Sequence, residues 1–358
     1  MIIRKAIAPA LALSLPEHQH SQAARVDPMA DPTLKIGCFK YETTAALFDG
    51  SVAVDGADIS MKTARTIPEI FERMMRDREF DVSELGLTFY LRTFGDDSPF
   101  IAMPVFPNRV FRHSCVFVNT DSGITSPSDL VGKTIGEFGM YSQDSGVWAK
   151  GILMDEYGFR PESNRWVIGG LDDPAPPFDF VPQTHADNVD VAAASEALGP
   201  MLAEGKIDAL FSANVPQCVL DGSPSVRRLF PDFEAVERDY HRRTGIFPMM
   251  HTIVIRRDSA AAEPGMARAI YRAFVQAKNA AAERYRVGQR IFEVQSMAPW
   301  MNALFERNLE QFGQDWWPYG MAANRTALEA NLRYQFEQGL VDRRWDPDEV
   351  FLPASLDS

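Results

Sequence analysis

A two-lobe α/β clamshell with a helical C-terminal extension is the fold class this sequence predicts, and three observations predict it. At 358 residues the chain is too long for one small core and fits two lobes of ordinary domain size. Strand and helix patterns alternate in two successive sets, as expected of sheets covered by helices on both faces. After the second set, FPMMHTIVIRRD (Phe247–Asp258) is long enough to return to the first lobe, and the chain from Pro264 onward has helical spacing. Crossings near residues 117–122 and 243–252 then give lobe 1 as 31–118 with 245–358 and lobe 2 as 119–244, behind a disordered leader at 1–30.

In lobe 1, LKIGCF (Leu34–Phe39) reads as a buried strand and Thr44–Asp49 as a short helix. ADISMKT alternates at period two. TIPEIFERMMRD sets Ile67, Ile70, Phe71 and Met74 on one helical face, with Thr66 and Glu69 spaced as a capping box. FDVSELGL is a further strand leading into a helix near Leu87–Thr93, and this order implies a parallel sheet. In FPNRVFRHSCVFVN (Phe106–Asn119) alternation begins at Ser114, at the mouth of lobe 2. There follow a Ser128–Asp129 turn, a strand at Lys133–Glu137, and a helix from about Gln143 to Tyr157 ended by Gly158. RWVIGG is a strand, ALGPMLAEGKIDALFSA a helix and strand, and VRRLFPD a last short piece. Leu171–Asn188, rich in Pro and Asp without period, is a loop of functional length. MARAIYRAFVQAKNAAAERY and NRTALEANLRYQFEQGL are C-terminal helices.

Composition removes several function classes. Hydrophobic residues are 46% and charged residues 24%, which suits a globular chain. A net charge of −13 argues against nucleic acid, whose phosphates need a basic face. No run is long enough to span a bilayer. Cys38, Cys115 and Cys218 are far apart and odd in number, which suits a reducing compartment. The N-terminus reads two ways. MIIRKAIAPALALSL with a small-residue pattern at Ala23 fits an export signal and a periplasmic protein. Pro9 in the apolar run, the long polar stretch behind it, and MADPTLKIG beginning at Met29 fit an upstream start and a cytoplasmic one, which is the reading preferred. There is no GxGxxG after a strand, no complete GxxxxGK[ST] and no GxSxG, so nucleotide binding and a serine nucleophile are unsupported. His113, His251 and Glu84 are far apart in sequence and carry no HxxxH or HxH spacing that would mark a metal site, and no cofactor is expected.

Against this background several stretches are distinctive. SPSDLVGKTIG is a recurrent phrase of type II periplasmic solute-binding proteins. FDVSELGLTFYL, IAMPVFPNRVFRHSCVFVN, GKTIGEFGMYSQDSGVWAKGILMDEYG, RLFPDF, TGIFPMMHTIVIRRD and DWWPYGMAANRTALEANLRYQFEQGL together resemble the 4,5-dihydroxyphthalate decarboxylase family, over roughly Leu34–Phe351. The resemblance implies a type II periplasmic-binding-protein-like fold and cofactor-independent loss of CO2 from a hydroxylated aromatic carboxylate. The same fold also serves solute-binding proteins of ABC-type transporters, which is the competing expectation. The sequence departs from the family's usual text at three places. The first loop reads Tyr41-Glu42-Thr43-Thr44 without an arginine, Asn214 stands where an arginine is common, and LDDPAPPFDF replaces a loop that often carries a Glu and then a basic residue. These losses imply a substrate with one carboxylate fewer than a dicarboxylate, or a loss of catalysis.

Decarboxylating an aromatic acid requires a grip on the carboxylate, a proton for the ring carbon, and a place for negative charge. Guanidinium suits the first task through paired hydrogen bonds, so Arg112 is the expected anchor, with Arg109 either a second anchor or structural. His113 is the expected proton-transfer residue, and His251, in an apolar strand, is either a second one or a core histidine. Glu84 in an apolar strand must have a partner, and a Glu–His pair would orient imidazole. Ser83 and Ser114 are neutral donors for carboxylate or phenol oxygens. Tyr41 and Glu42 end the first strand, and Tyr141, Gln143 and Ser145 hold the equivalent loop-to-helix start in lobe 2, where free N–H groups suit an anion. Asn214 and Thr244 complete the expected substrate contacts. Trp148 reads as core rather than as a stacking wall. The expected partner is a small aromatic carboxylate, with no nucleic acid and no membrane insertion, and a homo-oligomer is left open.

Overall fold

The computed structural model describes residues 33–182, 187–263, 265–291 and 297–352; the leader at 1–30 lies outside the described residues. The chain lays down β1 (Leu34–Gly37), β2 (Ile59–Lys62), β3 (Val82–Gly86) and β4 (Phe100–Met103). It then crosses to β5 (Val116–Asn119), β6 (Thr134–Phe138), β7 (Arg165–Gly169), β8 (Val189–Val191), β9 (Ala209–Phe211) and β10 (Val226–Arg228), and returns in β11 (His251–Arg256). The helices are α1 (Ala45–Phe48), α2 (Ile67–Glu72), α3 (Leu87–Arg92), α4 (Asp144–Tyr157), α5 (Leu198–Ala203), α6 (Gln217–Leu220), α7 (Phe233–Thr244), α8 (Arg257–Ala262), α9 (Met266–Ile291), α10 (Met301–Phe312), α11 (Arg325–Glu337) and α12 (Pro347–Val350).

Two mixed sheets result, ordered β2-β1-β3-β11-β4 and β10-β5-β9-β6-β7-β8. The wholly parallel first sheet expected from element order is corrected here. β11 comes back from the second lobe and slots antiparallel between β3 and β4. β5, which carries the chain out, is likewise antiparallel to both β9 and β10. The strands entered from the crossings run against their sheets, because both crossings pass the same edge. That edge holds the carboxyl ends of β1, β3, β6, β7 and β9 and the starting ends of β5 and β11. In α/β sheets this is where ligands bind.

Local chemistry explains most boundaries. Gln143 caps α4, its side chain accepting from Ser145 N–H at 3.0 Å, and Gly158 ends it in the left-handed region at φ 65°. The Thr66–Glu69 capping box does not form. The Thr66 hydroxyl bonds the Glu69 side chain at 2.9 Å, and Pro68 already occupies the first turn. A box does form where none was expected, at Ser126 and Asp129. The strand expected from Ser114 starts at Val116, since His113–Cys115 take a 3-10 turn. β4, β8 and α7 escaped the sequence reading. β4 is a buried apolar run without alternation, β8 a short edge, and α7 a highly charged helix that buries little besides Tyr240 and Glu237.

The C-terminal helices strap the halves together. α11 lies on α4: Tyr334 packs edge-on against Trp148, its hydroxyl donates to Asp155 Oδ2 at 2.6 Å, and Arg333 bonds the same carboxylate. Gln335 donates to Thr88 Oγ1 of α3 at 2.9 Å, while Gln338 donates to Val147 O of α4 at 2.9 Å. Val147, Trp148 and Ile152 thereby join the core of the first sheet although their helix belongs to the second. No described helix is long and apolar enough to cross a membrane.

A Cβ at Gly151 would stand 2.3 Å from the Tyr334 ring, so only glycine lets α4 and α11 meet. Gly151→Val should lower unfolding free energy by about 2–3 kcal/mol through overpacking. An unchanged urea midpoint would show that α11 is docked elsewhere.

Candidate active site

The site begins with where an apolar strand puts a carboxylate. β3 alternates, so Ser83 and Leu85 face one side and Glu84 and Gly86 the other. Register pairs Glu84 with Ile253 and Gly86 with His251, placing His251 on the Glu84 face, two residues away diagonally. A long side chain bridges that distance. His251 Nδ1 lies 2.6 Å from Glu84 Oε1, and against a carboxylate that nitrogen carries the proton. The Tyr41 hydroxyl donates to the same oxygen at 2.7 Å, and Phe39 N–H donates to Oε2 at 2.8 Å. Asn108 donates to the Tyr41 hydroxyl at 3.3 Å, and the His251 ring rests edge-on against Phe71. Glu84 is fully buried, a position that would cost several kcal/mol if it were unpaired. Burial and the Glu84 charge push the Tyr41 phenol well above its usual range, so it remains a donor. They push the adjoining Cys38 thiol up as well.

Asp144, the first residue of α4, reaches this cluster from the second lobe. Its Oδ1 accepts Thr88 N–H at 2.7 Å, which satisfies a free donor at the start of α3. Its Oδ2 occupies the space of an absent side chain, since a Cβ at Gly86 would lie 2.2 Å away. Burial raises the Asp144 pKa, and the charges of His251 and Arg112 oppose the rise. Arg112 is buried at the crossing with Nε–H pointing at Met250 Sδ, 3.1 Å away; burial lowers its pKa, and the charges of Cys115, Asp144 and Glu237 oppose the fall. Behind α4, a fully buried Lys150–Glu137 ion pair holds the turn into the helix. Glu137 accepts Ser142 N–H at 2.9 Å, which keeps Ser142 at φ 55°, and Lys150 lies 4.0 Å from the Tyr141 ring centre.

The loop after β7 covers the lobe boundary. Phe180 packs on Phe89 and Phe178 on Phe138, Arg76 of lobe 1 pairs with Asp179, and Arg92 donates to Pro182 O at 3.3 Å. Arg92 also donates to Tyr141 O at 2.7 Å, joining α3 to the α4 turn.

Of the residues expected from sequence, the structure gathers Glu84, His251, Tyr41 and Arg112 at one edge. It does not bring His113 there. His113 is packed between the Phe230 and Tyr240 rings, its Nδ1 without a partner. Arg109 turns toward the C-terminal segment, donating to Phe247 O at 3.1 Å and Pro318 O at 2.6 Å and bonding Asn324. Ser114 N–H donates to Glu237 at 2.9 Å, and Ser83 bonds its own strand on the face opposite Glu84. Thr244 closes α7 on Tyr240 O at 2.7 Å, and Asn214 is exposed. Glu42 points outward and accepts from the Tyr285 hydroxyl at 2.7 Å. Tyr141 covers Lys150, while Gln143 and Ser145 bond each other at the α4 start. Trp148 is core, its indole N–H donating to Met249 O at 2.7 Å. Sequence reasoning missed Asp144 and Asn108. Asp144 carried a usable signal, an acidic residue in the first turn of a helix opening on the cleft, but that pattern reads first as helix capping.

No family model matches the chain. A 4,5-dihydroxyphthalate decarboxylase of Comamonas testosteroni is 34% identical over 333 residues, which is 92% of this chain and 99% of that protein. A 4,5-dihydroxyphthalate decarboxylase of Pseudomonas putida is 35% identical over 211 residues, 58% of this chain and 81% of that protein. Among solved structures, a periplasmic sulfonate-binding protein of Methylobacillus flagellatus superposes with a TM-score of 0.51 at 14% identity, covering 90% of this chain and 92% of that one. The alkanesulfonate-binding protein of Xanthomonas axonopodis gives 0.50 at 14% identity, covering 90% and 99%. These structures share the fold.

Burial between aromatic rings depresses the His113 pKa to about 4. The unfolded imidazole takes its proton near pH 6.5, so the histidine's contribution is complete above that pH and is lost as pH falls toward 4. The loss should reach about 3 kcal/mol. His113→Gln should be flatter than wild type between pH 6.5 and 4 in chemical denaturation, and parallel curves would remove His113 as the cause of acid sensitivity.

Proposed function

The chain belongs to the 4,5-dihydroxyphthalate decarboxylase family, and we propose that its cleft removes CO2 from a hydroxylated aromatic monocarboxylate with its own side chains. One observation carries the reading: a fully buried carboxylate, Glu84, shared between an imidazole and a phenol at the ligand-binding edge of the sheet. Holding a ligand needs donors, whereas a buried Glu–His–Tyr array is suited to moving protons.

The chemistry runs as follows. With Nδ1 engaged by Glu84, His251 presents Nε2 to the substrate and takes the phenolic proton, and Glu84 stabilises the imidazolium that forms. The phenolate pushes electrons to the ring carbon bearing the carboxylate. Asp144, held toward its protonated form by burial, delivers a proton to that carbon. The carbon–carbon bond then breaks, CO2 leaves, and the bonding pair restores the aromatic ring. His251 returns its proton to the phenolate and Asp144 is reprotonated from solvent, so one proton is consumed per turnover. Arg112 balances the carboxylate until it leaves, and the hydrophobic loop at Phe178 and Phe180 excludes water, which strengthens each of these charge interactions. Arg109, His113, Ser114 and Thr244 act in holding the crossings, and Ser83 bonds within β3. The monocarboxylate preference is supported by Thr43 and the exposed Asn214 standing where arginines are common in the family's usual text.

Release of CO2 from a panel of hydroxylated mono- and dicarboxylic aromatics tests the reading. Glu84→Gln and His251→Gln should each lower kcat by about 10²–10⁴. Arg112→Lys should raise KM about tenfold or more, since the paired guanidinium geometry is lost. Saturable binding of these acids with no CO2 from any of them would make the protein a solute binder.

A further inference from the structure

A cavity lies outside the cluster just described. It occupies about 440 Å³ between α9, α10 and the loop that follows β1, a size suited to one small ligand. Met301, Leu304, Phe305, Tyr285 and Trp316 form its walls. Tyr285 stacks on Phe305 at 5.7 Å, and Trp316 stands edge-on to Phe305 at 4.9 Å, leaving a flat aromatic slot. Its charged groups are few, beside the neutral Thr43 and Asn308. Lys278 has a nearly buried ammonium bonded to Asp315 at 2.7 Å, and Glu42 accepts from Tyr285. Tyr41 is shared: its ring lines this cavity while its hydroxyl bonds Glu84.

The charges say what fits. Two carboxylates, Glu42 and Asp315, face one ammonium, which Asp315 already neutralises. Arg286 stacks on Trp316 without lining the cavity and pairs with Glu283. An incoming carboxylate would meet net negative charge and acceptors it cannot satisfy, because an ionised carboxylate has no proton to donate. A phenol donates to those carboxylates, accepts from Lys278, and lays an apolar ring against the aromatic walls. We infer that this cavity is a second binding site for a neutral phenol, the chemical class of the decarboxylated product, and that it excludes the anionic substrate. The link to product rests on the decarboxylase reading; the selectivity for phenol over carboxylate does not. Because Tyr41 forms part of both sites, phenol held there acts on the catalytic array without competing for its substrate cleft.

Tryptophan fluorescence of the full chain, titrated with catechol and separately with benzoate, reads the site without turnover. Catechol should quench saturably, and benzoate should bind at least about tenfold more weakly. Ala282→Trp from α9 and Leu304→Trp from α10 fill the slot from opposite walls. In each, catechol affinity should fall about tenfold or more while the melting temperature holds. Glu42→Gln should narrow the gap between catechol and benzoate. Where CO2 release is found, catechol should inhibit wild type noncompetitively, and both slot-filling variants should relieve it. Equal affinity for benzoate, or catechol binding that survives both tryptophans and is lost in Glu84→Gln, would overturn the proposal. Absence of CO2 release with this binding pattern intact would remove the decarboxylase reading and leave the phenol site standing.

Discussion

The rest of the site depends on the burial of one carboxylate. Glu84 sits in a strand buried on both faces, where an unpaired charge would be intolerable, so the surroundings must supply donors. They come from two distant parts of the chain: the Phe39 amide and Tyr41 phenol after β1, and the His251 imidazole at the start of β11. Each donor is in place for a structural reason. β1 pairs parallel with β3, bringing its carboxyl end alongside, and β11 returns antiparallel, so that its first residue rather than its last meets that end. Removing any one donor would strand part of a charge in the core, which is why this edge of the sheet is specified so tightly.

A second constraint is that the lobes are joined by more than their two crossings. Asp144 caps α3 from the opposite lobe, α11 packs on α4 while bonding α3, and the loop at Asp179 is clasped by Arg76. Sulfonate-binding proteins share the architecture at 14% identity. In this chain the helical extension makes α4 part of the first lobe's core, so the groups on either side of the cleft are held in fixed relation. Proton transfer needs that, since donor and acceptor must stay within hydrogen-bond reach. The buried Lys150–Glu137 pair serves the same end, keeping the strained Ser142 turn that aims Asp144 into the cleft.

The overall charge of −13 works against an anionic substrate at long range. The edge beside Glu84 and the slot behind Tyr41 differ in how they meet it. At the edge beside Glu84, burial pushes the two carboxyls near Arg112, Asp144 and Glu237, toward their neutral forms, which leaves the guanidinium charge to meet a substrate anion. In the slot behind Tyr41, Glu42 and Asp315 outnumber Lys278, and an anion is disfavoured. Loss of CO2 removes a negative charge from the ligand and so changes which of the two environments suits it.

Much of the architecture is legible in the order of residues because it is carried by local patterns. The alternation of β1 and β3, the Gln143 cap and Gly158 stop of α4, and the helical spacing of α9 and α11 are each set by neighbours within a few positions. The buried Glu84 is legible for the same reason, as a charge in an apolar run. What belongs to the site beyond that is not local. His113 lies beside Arg112 in sequence and looks like the catalytic histidine, yet a 3-10 turn swings it between two aromatic rings, while His251, 167 residues from Glu84, arrives through strand register. Asp144 reads as a helix cap until the fold brings Gly86 against it. The residues thus determined that a carboxylate would be buried at a strand's end; the tertiary structure decided which imidazole and which acid meet it, because those partners are chosen by sheet register and lobe docking rather than by sequence spacing.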